Sequence, residues 1–319
     1  ILTLSIINMV EVVRYSAGLA SEWNDFVKKS KNGTFLFNRG YMDYHADRFR
    51  DCSLMIYRKG RLSAVLPANV VGDILYSHQG LTYGGFILND KVTVADMLEI
   101  FEEVNSFLKK NGVAKVVYKA IPYIYADIPA QEDLYALFRQ NARLIAGNIS
   151  STIYQNNKLK FSESRQSGVR KAKRQGLIVT ESDDMAAFWE ILSANLNFKY
   201  GVMPVHSLAE ISLLKSRFPE NIRLFLCLEG QMPLGGTVVF ETGRVLHVQY
   251  ISANEDGKAK GALDILFDFL INERYAEIPV FDFGQSTEKM GTILNEKLIF
   301  QKEGFGGRGV MYNTYEYLI

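Results

Sequence analysis

The chain has 319 residues, of which 48% are hydrophobic and 22% are charged. This composition is that of a folded globular protein and excludes a disordered or fibrous chain, and the length is enough for about two domains. The formal net charge of +1 gives no global attraction to nucleic acid or to an anionic membrane. A charged partner would therefore need a local patch of charge.

The first residues and the cysteines bear on the compartment of the protein. Ile1 to Asn8 is apolar, but it is shorter than a membrane span of about 20 residues and lacks the basic leader of a signal peptide. We expect Met9 to be the natural start and the residues before it to be upstream sequence or a remnant of expression. Cys52 and Cys227 are too few for a secreted disulfide framework. They indicate buried thiols in a reducing compartment, and we expect a cytoplasmic protein.

The first half of the chain opens with a predicted edge strand and two helices. These are Val12 to Tyr15, a short helix that begins after Ser21, and an aromatic-rich stretch from Phe35 to His45 that continues as a helix into Arg50. Ser21 has the short hydroxyl side chain that is typical of a helix N-cap.

A hairpin, a strand, a helix and a second strand are predicted next. They are Leu54 to Tyr57 with Leu62 to Val71, then Leu75 to Phe86, Val94 to Lys110, and Lys115 to Ala120. The helix has its apolar residues at helical spacing, which predicts one buried face.

The middle of the chain changes in composition. The predicted elements are a helix from Glu132 to Gln140, a strand from Arg143 to Tyr154 that returns to the first sheet, and helices from Asp184 to Tyr200 and from His206 to Phe218. Between them, Gln155 to Gln175 is strongly basic, with seven lysines and arginines from Lys158 to Arg174 against the single acid Glu163.

The order hairpin, strand, helix, strand then returns about 170 positions later. The second set is Leu224 to Cys227 with Leu234 to Phe240, then Val245 to Ser252, Ala262 to Arg274, and Val280 to Phe283. The hairpin turns at Gly60 and Gly230 are in register. A repeat of this kind fixes the architecture, so we predict two domains of like fold, at residues 1–154 and 155–319.

Four motifs resemble those of Fem-type peptidyltransferases and their acyltransferase relatives. They are Arg165 and Arg170 followed by Gly176-Leu177-Ile178-Val179, Asp282-Phe283-Gly284-Gln285-Ser286, Lys302 with Phe305-Gly306, and Tyr83-Gly84-Gly85. Asp-Phe-Gly also occurs in protein kinases, but this chain has neither the glycine-rich loop nor the His-Arg-Asp sequence that kinases carry with it.

The resemblance implies a mixed α/β (α+β) fold with two tandem GNAT-like (acyl-CoA N-acyltransferase) domains, each a mostly antiparallel sheet flanked by helices. It further implies transfer of an acyl or aminoacyl group to an amine, from a thioester or an aminoacyl-tRNA. The segment from Met185 to Phe218 has no extended heptad insertion, which favours acyl-CoA as co-substrate over tRNA. The partners expected are therefore a small-molecule donor and an amine acceptor, with tRNA as the alternative.

Substrate-binding residues are expected in the basic segment and in the family motifs. Clustered arginines and lysines suit a pyrophosphate, because bidentate hydrogen bonds and charge act together. The expected residues are Arg165, Arg170, Lys173, Lys302, Phe305 and Tyr83. The alternatives are a solvated basic helix, and for Lys302 and Phe305 the closing of the final hairpin.

A second phosphate site is predicted before the helix of the second repeat. In GNAT enzymes a glycine-containing loop there offers backbone N–H groups to the pyrophosphate of the cofactor. The residues that would do so are Gly257, Lys258, Lys260, Gly261 and Ala262. The acidic Glu255 and Asp256 oppose this role, and a solvated turn is the alternative.

Catalytic residues are expected on the two strands that flank this helix. The resemblance implies that the strand from Val245 to Ser252 stabilises an oxyanion, and alternation places His247 and Gln249 on one face of it. Asp282 and Ser286 lie at the C-terminal end of the last core strand, where a carboxylate could accept a proton from an ammonium group. Tyr250 is a further candidate. The alternatives are core packing for Tyr250, a strand-end cap for Asp282 and a structural role for His247.

The four histidines are scattered and show no metal-ligand spacing, so we expect no metal site. The rival to an enzyme is a binding or scaffold protein that has kept the fold and lost the cofactor loop.

Overall fold

A computed structural model describes residues 10–319 of the chain. The prediction that Met9 starts the natural chain concerns residues outside this range. Two compact units are present: unit 1 runs to Gly147 and includes Met311–Ile319, and unit 2 is Asn148–Val310. The predicted domains differ from these units at residues 148–154 and 311–319.

The strands are numbered in chain order. They are β1 (Val10–Arg14), β2 (Leu54–Arg58), β3 (Arg61–Leu66), β4 (Asn69–Val71), β5 (Ile74–Tyr76), β6 (Ile87–Leu88), β7 (Lys115–Lys119), β8 (Arg143–Tyr154), β9 (Ile178–Ser182), β10 (Ile222–Glu229), β11 (Met232–Glu241), β12 (Val245–Ala253), β13 (Val280–Gln285), β14 (Thr287–Glu288), β15 (Ile293–Leu294) and β16 (Arg308–Leu318).

The helices are numbered in the same way. They are α1 (Ala20–Lys29), α2 (Arg39–Met42), α3 (Val94–Lys110), α4 (Glu132–Arg139), α5 (Glu163–Arg174), α6 (Met185–Tyr200), α7 (Leu208–Arg217), α8 (Glu255–Lys260), α9 (Ala262–Phe269) and α10 (Glu296–Gly304). A π-helical turn, Leu270–Arg274, continues α9. Short 3₁₀ turns lie at Ala17–Leu19, Phe35–Phe37, Asp43–His45, Tyr123–Tyr125, Gln155–Asn157 and Lys289–Gly291.

In unit 1, strands in the order β1-β2-β3-β6 pair antiparallel, while β4, β5 and β7 pair beside one another. The pair β5 and β7 is parallel, and α3 connects these two strands. Thr93 begins α3 with a capping box to Asp96, and the apolar face of the helix enters the core of the unit.

In unit 2, the strand order is β8-β13-β12-β11-β10-β9. Every neighbouring pair is antiparallel except β12 with β13, which are parallel and joined through α8 and α9. The apolar face of α9 packs on one face of this sheet, against Phe281, Phe283 and Val248 among others. A parallel pair joined by a helix leaves the C-terminal ends of both strands at one edge of the sheet.

The predicted order of hairpin, strand, helix and strand is confirmed in unit 2, and in unit 1 the hairpin, the helix and the last strand are confirmed. The two hairpins form, and their turns contain Gly60 with φ of 72° and Gly230 with φ of 59°, a backbone conformation that favours glycine. The helix of the first repeat has the bounds predicted for it. Among residues 10–319, no helix is long and apolar enough to cross a membrane.

One strand prediction in unit 1 is wrong. Leu75 to Phe86 was expected to be continuous, but β5 ends at Tyr76 and the next strand begins at Ile87. The backbone between them turns through positive φ at His78 (68°) and Gly85 (92°), which ends an extended strand.

Candidate active site

The two faces of the unit 2 sheet differ sharply in polarity. On β13, Phe281 and Phe283 belong to the apolar core, and on β12 Val248 does so too. Since side chains of a strand alternate, Asp282 and His247 lie on the other face. Two neighbouring interior strands therefore each place an ionisable residue on the same face. Ionisable side chains are rare in apolar cores, so this face has the composition of a functional site.

A β-bulge in β12 changes which side chains share that face. Val248 and Tyr250 pair with two successive residues of β11, so Gln249 is the extra residue between them. The bulge reverses the alternation, and Tyr250 comes to lie on the face of His247. The simple alternation expected along this strand therefore does not hold beyond Val248.

Tyr250 is held by a group of polar and aromatic contacts. Its hydroxyl lies 2.5 Å from His206 Nδ1 and accepts a hydrogen bond from the His206 backbone N–H at 3.2 Å. The ring packs edge-on to Trp189 of α6, with ring centroids 5.1 Å apart. The bulged strand is thus anchored on the polar face of the sheet.

Asp282 is the centre of a buried polar cluster and is fully shielded from solvent. Its Oδ1 accepts hydrogen bonds from the Ser150 hydroxyl and, at 2.9 Å, from the Thr152 hydroxyl. Its Oδ2 lies 2.8 Å from His247 Nδ1. A carboxylate is costly to bury unless donors surround it, and here three side chains do so.

These donors come from strands on either side of β13. Asp282 pairs across the antiparallel ladder with Thr152 of β8, and across the parallel ladder with His247 of β12. Because cross-strand partners point to the same face, the register brings the three side chains together. The second half of β8 was expected in the first sheet, but it pairs with β13 in unit 2.

The parallel ladder between β12 and β13 ends at the pair His247 and Asp282. Beyond it, β12 bulges at Gln249 and β13 shifts its register against β8 between Asp282 and Gln285. The two strands thus lose their pairing at their C-terminal ends, beside the polar cluster. This is the edge at which open α/β sheets bind ligands.

The structure favours glycine at position 284, the third residue of the Asp-Phe-Gly motif. Its φ is +74°, and a Cβ on it would lie 3.2 Å from His247 Cε1 and 3.7 Å from Nε2. A side chain there would press on the edge of the imidazole ring as well as straining the backbone.

Lys302 lies on α10 and reaches the end of β13. Its Nζ donates hydrogen bonds of 2.8 Å to the carbonyl oxygens of Gly284 and Gln285. The side chain is buried, and this burial lowers the pKa of Lys302 to about 8, although the nearby Asp282 carboxylate acts in the opposite direction. Ser286 is also buried here, and its hydroxyl has no hydrogen-bond partner within the described range 10–319.

The predicted cations of the basic segment lie by α9 and not by Asp282. Arg165 pairs with Asp264 at 2.7 Å and lies over the Phe305 ring, which belongs to the apolar core. Lys173 pairs with Asp268 at 3.1 Å. Arg170 pairs with Glu163 of its own helix.

The segment proposed to bind a pyrophosphate is not a loop. It forms α8, whose cap Asn254 accepts a hydrogen bond from Gly257 N at 2.8 Å through its side chain and from Lys258 N through its carbonyl oxygen. Lys258 pairs with Glu255 at 2.5 Å, and Lys260 pairs with Glu229 at 2.5 Å. Gly261 adopts φ of +81° between α8 and α9, and Ala262 is the first residue of α9.

Tyr83 lies in unit 1 and is buried in an aromatic cluster with Phe37, Tyr125 and Tyr312. Its hydroxyl donates to Thr34 Oγ1 at 3.3 Å. Among residues 10–319, no group of three or more His, Cys, Asp or Glu side chains is arranged to hold a metal ion.

Ser150 and Thr152 were not among the residues predicted for the site, and a structural role was the alternative given for His247. The signal available was polar residues at alternate positions within strands that are otherwise apolar. That pattern marks one polar face, but it does not say which strands lie side by side.

Comparison with known proteins bears on the fold. No protein-family model matches the sequence, and no curated protein matches it. Solved structures do match. FemX superposes with a TM-score of 0.70 at 12% identity, covering 97% of each chain.

Two other solved structures are similar in fold. L-PGS from Bacillus licheniformis has a TM-score of 0.62 at 10% identity, covering 93% of this chain and 91% of its own. A tandem GNAT protein from the clavulanic acid biosynthesis pathway has a TM-score of 0.50 at 9% identity, covering 97% and 98%. The predicted fold of two tandem GNAT-like domains, and the resemblance to Fem-type proteins, are confirmed at the level of the fold.

Proposed function

We propose that unit 2 transfers an acyl group from an activated carbonyl donor to an amine on a small molecule or a cell-envelope precursor. The observation that carries this proposal is the end of the parallel ladder at His247 and Asp282, next to the bulge at Gln249. Because the two strands stop pairing there, their C-terminal ends, at one edge of the sheet, have backbone groups outside the ladder, next to the buried polar cluster. A donor carbonyl and a nucleophilic nitrogen can both be served at that edge.

The bulge supplies the electrophilic side of the reaction. A bulged residue leaves the regular ladder, so backbone N–H groups around Gln249 can donate to a ligand in place of a strand. An oxyanion that forms on the donor carbonyl would accept such a hydrogen bond. Removing one donor of this type costs about 2.7–4 kcal/mol of transition-state stabilisation in other enzymes.

The polar cluster supplies the nucleophilic side. An amine is protonated near neutral pH and must lose a proton before it attacks a carbonyl. The cluster of Asp282, His247, Ser150 and Thr152 offers a proton acceptor of fixed geometry. The amine would attack the donor directly, without a covalent enzyme intermediate, and Tyr250 and Lys302 would border the reactants.

Two classes of donor suit this chemistry, because thioesters and aminoacyl esters both carry an activated carbonyl. Acyl-CoA is the first candidate. The residues of α8 do not fit its pyrophosphate, because the N–H groups of Gly257 and Lys258 are bonded to Asn254 and both lysines of the helix are paired with acids. Binding of the donor would therefore have to rest on other groups.

This observation favours aminoacyl-tRNA as the second candidate. Its ester carbonyl could occupy the same place between β12 and β13, while the nucleic acid contacts other surfaces. Among residues of α5, Arg174 and Lys171 are exposed basic residues of the kind that bind phosphates.

The test is a donor panel with an amine mixture as acceptor. In one assay the protein would be incubated with acetyl-CoA, octanoyl-CoA or palmitoyl-CoA, and release of the free thiol would be measured with a colorimetric thiol reagent. In a second assay it would be incubated with radiolabelled aminoacyl-tRNA, and loss of the label from the tRNA would be measured. The acceptor would be a small-molecule and cell-envelope precursor fraction, and products would be identified by mass spectrometry.

We expect one donor class to be consumed with formation of an amide. Asp282→Asn should lower the rate by at least about 100-fold, in the range of lost acid–base catalysis, while Arg223→Gln on β10, three strands from β13, should not. Binding of a donor without turnover would support the scaffold alternative. If neither donor class is bound or consumed, the proposal is wrong.

A further inference from the structure

We infer that His247 is the catalytic base of the proposed acyl transfer and that Asp282 is a positioning residue that acts through it. This inference rests on the proposed function. It assigns the proton transfer to a residue for which the sequence left a structural role open.

Burial decides which of the two residues can reach a substrate. Asp282 has no exposed surface, and its two oxygens are engaged by Ser150, Thr152 and His247. An ammonium group could reach it only by displacing these partners. The His247 side chain retains about 10% of its exposure, so of the two residues only the imidazole has surface that solvent reaches.

The contact between the two residues fixes the tautomer of the imidazole. A carboxylate accepts hydrogen bonds only, so the 2.8 Å contact places a proton on His247 Nδ1. The basic nitrogen of the ring is then Nε2. The hydroxyls of Ser150 and Thr152 hold Oδ1, which orients the carboxylate and, through it, the ring. In other acyl-transfer enzymes a buried aspartate likewise accepts a hydrogen bond from histidine Nδ1–H and fixes the orientation of the ring.

Gly284 lies beside the Nε2 edge of the ring. A Cβ at this position would crowd that edge, since it would be 3.2 Å from Cε1 and 3.7 Å from Nε2. The charged and titratable groups that face the ring or its partner are Asp282 on β13, Lys302 on α10, and Tyr250 on β12 with its partner His206.

In the proposed reaction His247 takes one proton and later returns it. The neutral amine attacks the donor carbonyl, a C–N bond forms, and the carbonyl oxygen becomes an oxyanion. His247 Nε2 takes one proton from the nitrogen. The oxyanion collapses, the bond from carbon to the leaving sulfur or oxygen breaks, and the imidazolium returns its proton to that atom. The products are an amide and a free thiol or hydroxyl, and His247 ends neutral.

The experiment compares His247→Gln, Asp282→Asn and the wild-type full-length protein across pH, with the donor that the panel identifies. We expect His247→Gln to lower kcat by about 100-fold or more, with KM for the donor changed less than about 3-fold. Added imidazole should partly restore this variant. In Asp282→Asn the acidic limb of the profile of kcat/KM should move to lower pH, because the imidazolium loses its counter-charge.

The matched control is His78→Asn in unit 1. This histidine is also buried, and asparagine tolerates its backbone φ of +68°. We expect the control to leave kcat and the pH profile unchanged. A nitrogen-15 NMR spectrum of the histidine side chains gives a readout without substrate: His247 should be protonated on Nδ1 in the wild type, and Asp282→Asn should alter that signal.

The outcomes separate the two proposals. Transfer by the wild type with full activity in His247→Gln, or an Nε2-protonated neutral ring, overturns the role of His247 and leaves acyl transfer in place. No transfer from any donor by the wild type overturns the proposed function itself. If His247→Gln does not fold, judged by its circular dichroism, the Asp282→Asn profile and the NMR tautomer decide the matter.

Discussion

Replacing Lys302 with methionine tests the electrostatics at the end of β13. The Nζ group donates to the carbonyl oxygens of Gly284 and Gln285, and the side chain is only 5% exposed. Burial lowers the pKa of Lys302 from 10.5 to about 8 in the folded protein. An ammonium group in such a place destabilises the folded state, since its solvation by water is lost.

The sign and size of the effect follow from proton binding. Between pH 8 and 10.5 the unfolded chain keeps a proton on Lys302 that the folded chain has lost, so the free energy of unfolding rises with pH in this window. The fall from 10.5 to about 8 is roughly 2.5 pH units, which at 1.36 kcal/mol per unit is about 3 kcal/mol. This destabilisation is complete below pH 8 and is gone above 10.5.

The measurement is urea unfolding of the wild type and Lys302→Met from about pH 7 to 10.5, followed by circular dichroism. The wild type should gain about 3 kcal/mol from this group across the range, and the variant should not. Other lysines titrate in both proteins, so the difference between the two curves isolates Lys302. Lys158→Met, at an exposed lysine that bonds to Asn272, is the control and should parallel the wild type.

Curves for the wild type and Lys302→Met that stay parallel across this range would refute the reasoning. They would mean that Lys302 is solvated in the folded protein, and that its contacts with the end of β13 do not bury a charge.

Two further predictions concern packing and burial. Burial raises the pKa of Asp133, whose carboxylate accepts a hydrogen bond from the Tyr118 hydroxyl, from 3.8 to about 6. Between these pH values the folded state therefore binds more protons than the unfolded state, and the free energy of unfolding falls by about 3 kcal/mol as the pH rises from 3.8 to about 6. Asp133→Asn should abolish this fall, measured by urea unfolding at a series of pH values. Gly168→Ala should destabilise unit 2 by about 1–3 kcal/mol in thermal unfolding, because its Cβ would overlap Asp264 Oδ2. Gly18→Ala, where nothing lies within 4 Å of the added carbon, should change stability far less, and equal effects would contradict the packing argument.

Local patterns in the sequence determined the elements and their order. The helical spacing from Val94 predicts α3 with its observed bounds, and the glycine turns at Gly60 and Gly230 predict both hairpins. Each of these depends on residues within a few positions of one another, which a sequence displays directly. The Asp282 motif was likewise identified as part of a candidate site from its place at the end of a strand.

The tertiary structure decided which of these residues share a site. The bulge at Gln249 moves Tyr250 to the face of His247, and the pairing of β8 with β13 brings Thr152 to Asp282. Register between distant strands depends on long-range packing, and an extra residue in one strand reverses every side chain beyond it. Arg165, which the basic segment and the family motif assigned to a ligand, is paired with Asp264 of α9, a partner 99 positions away that only the tertiary structure brings close.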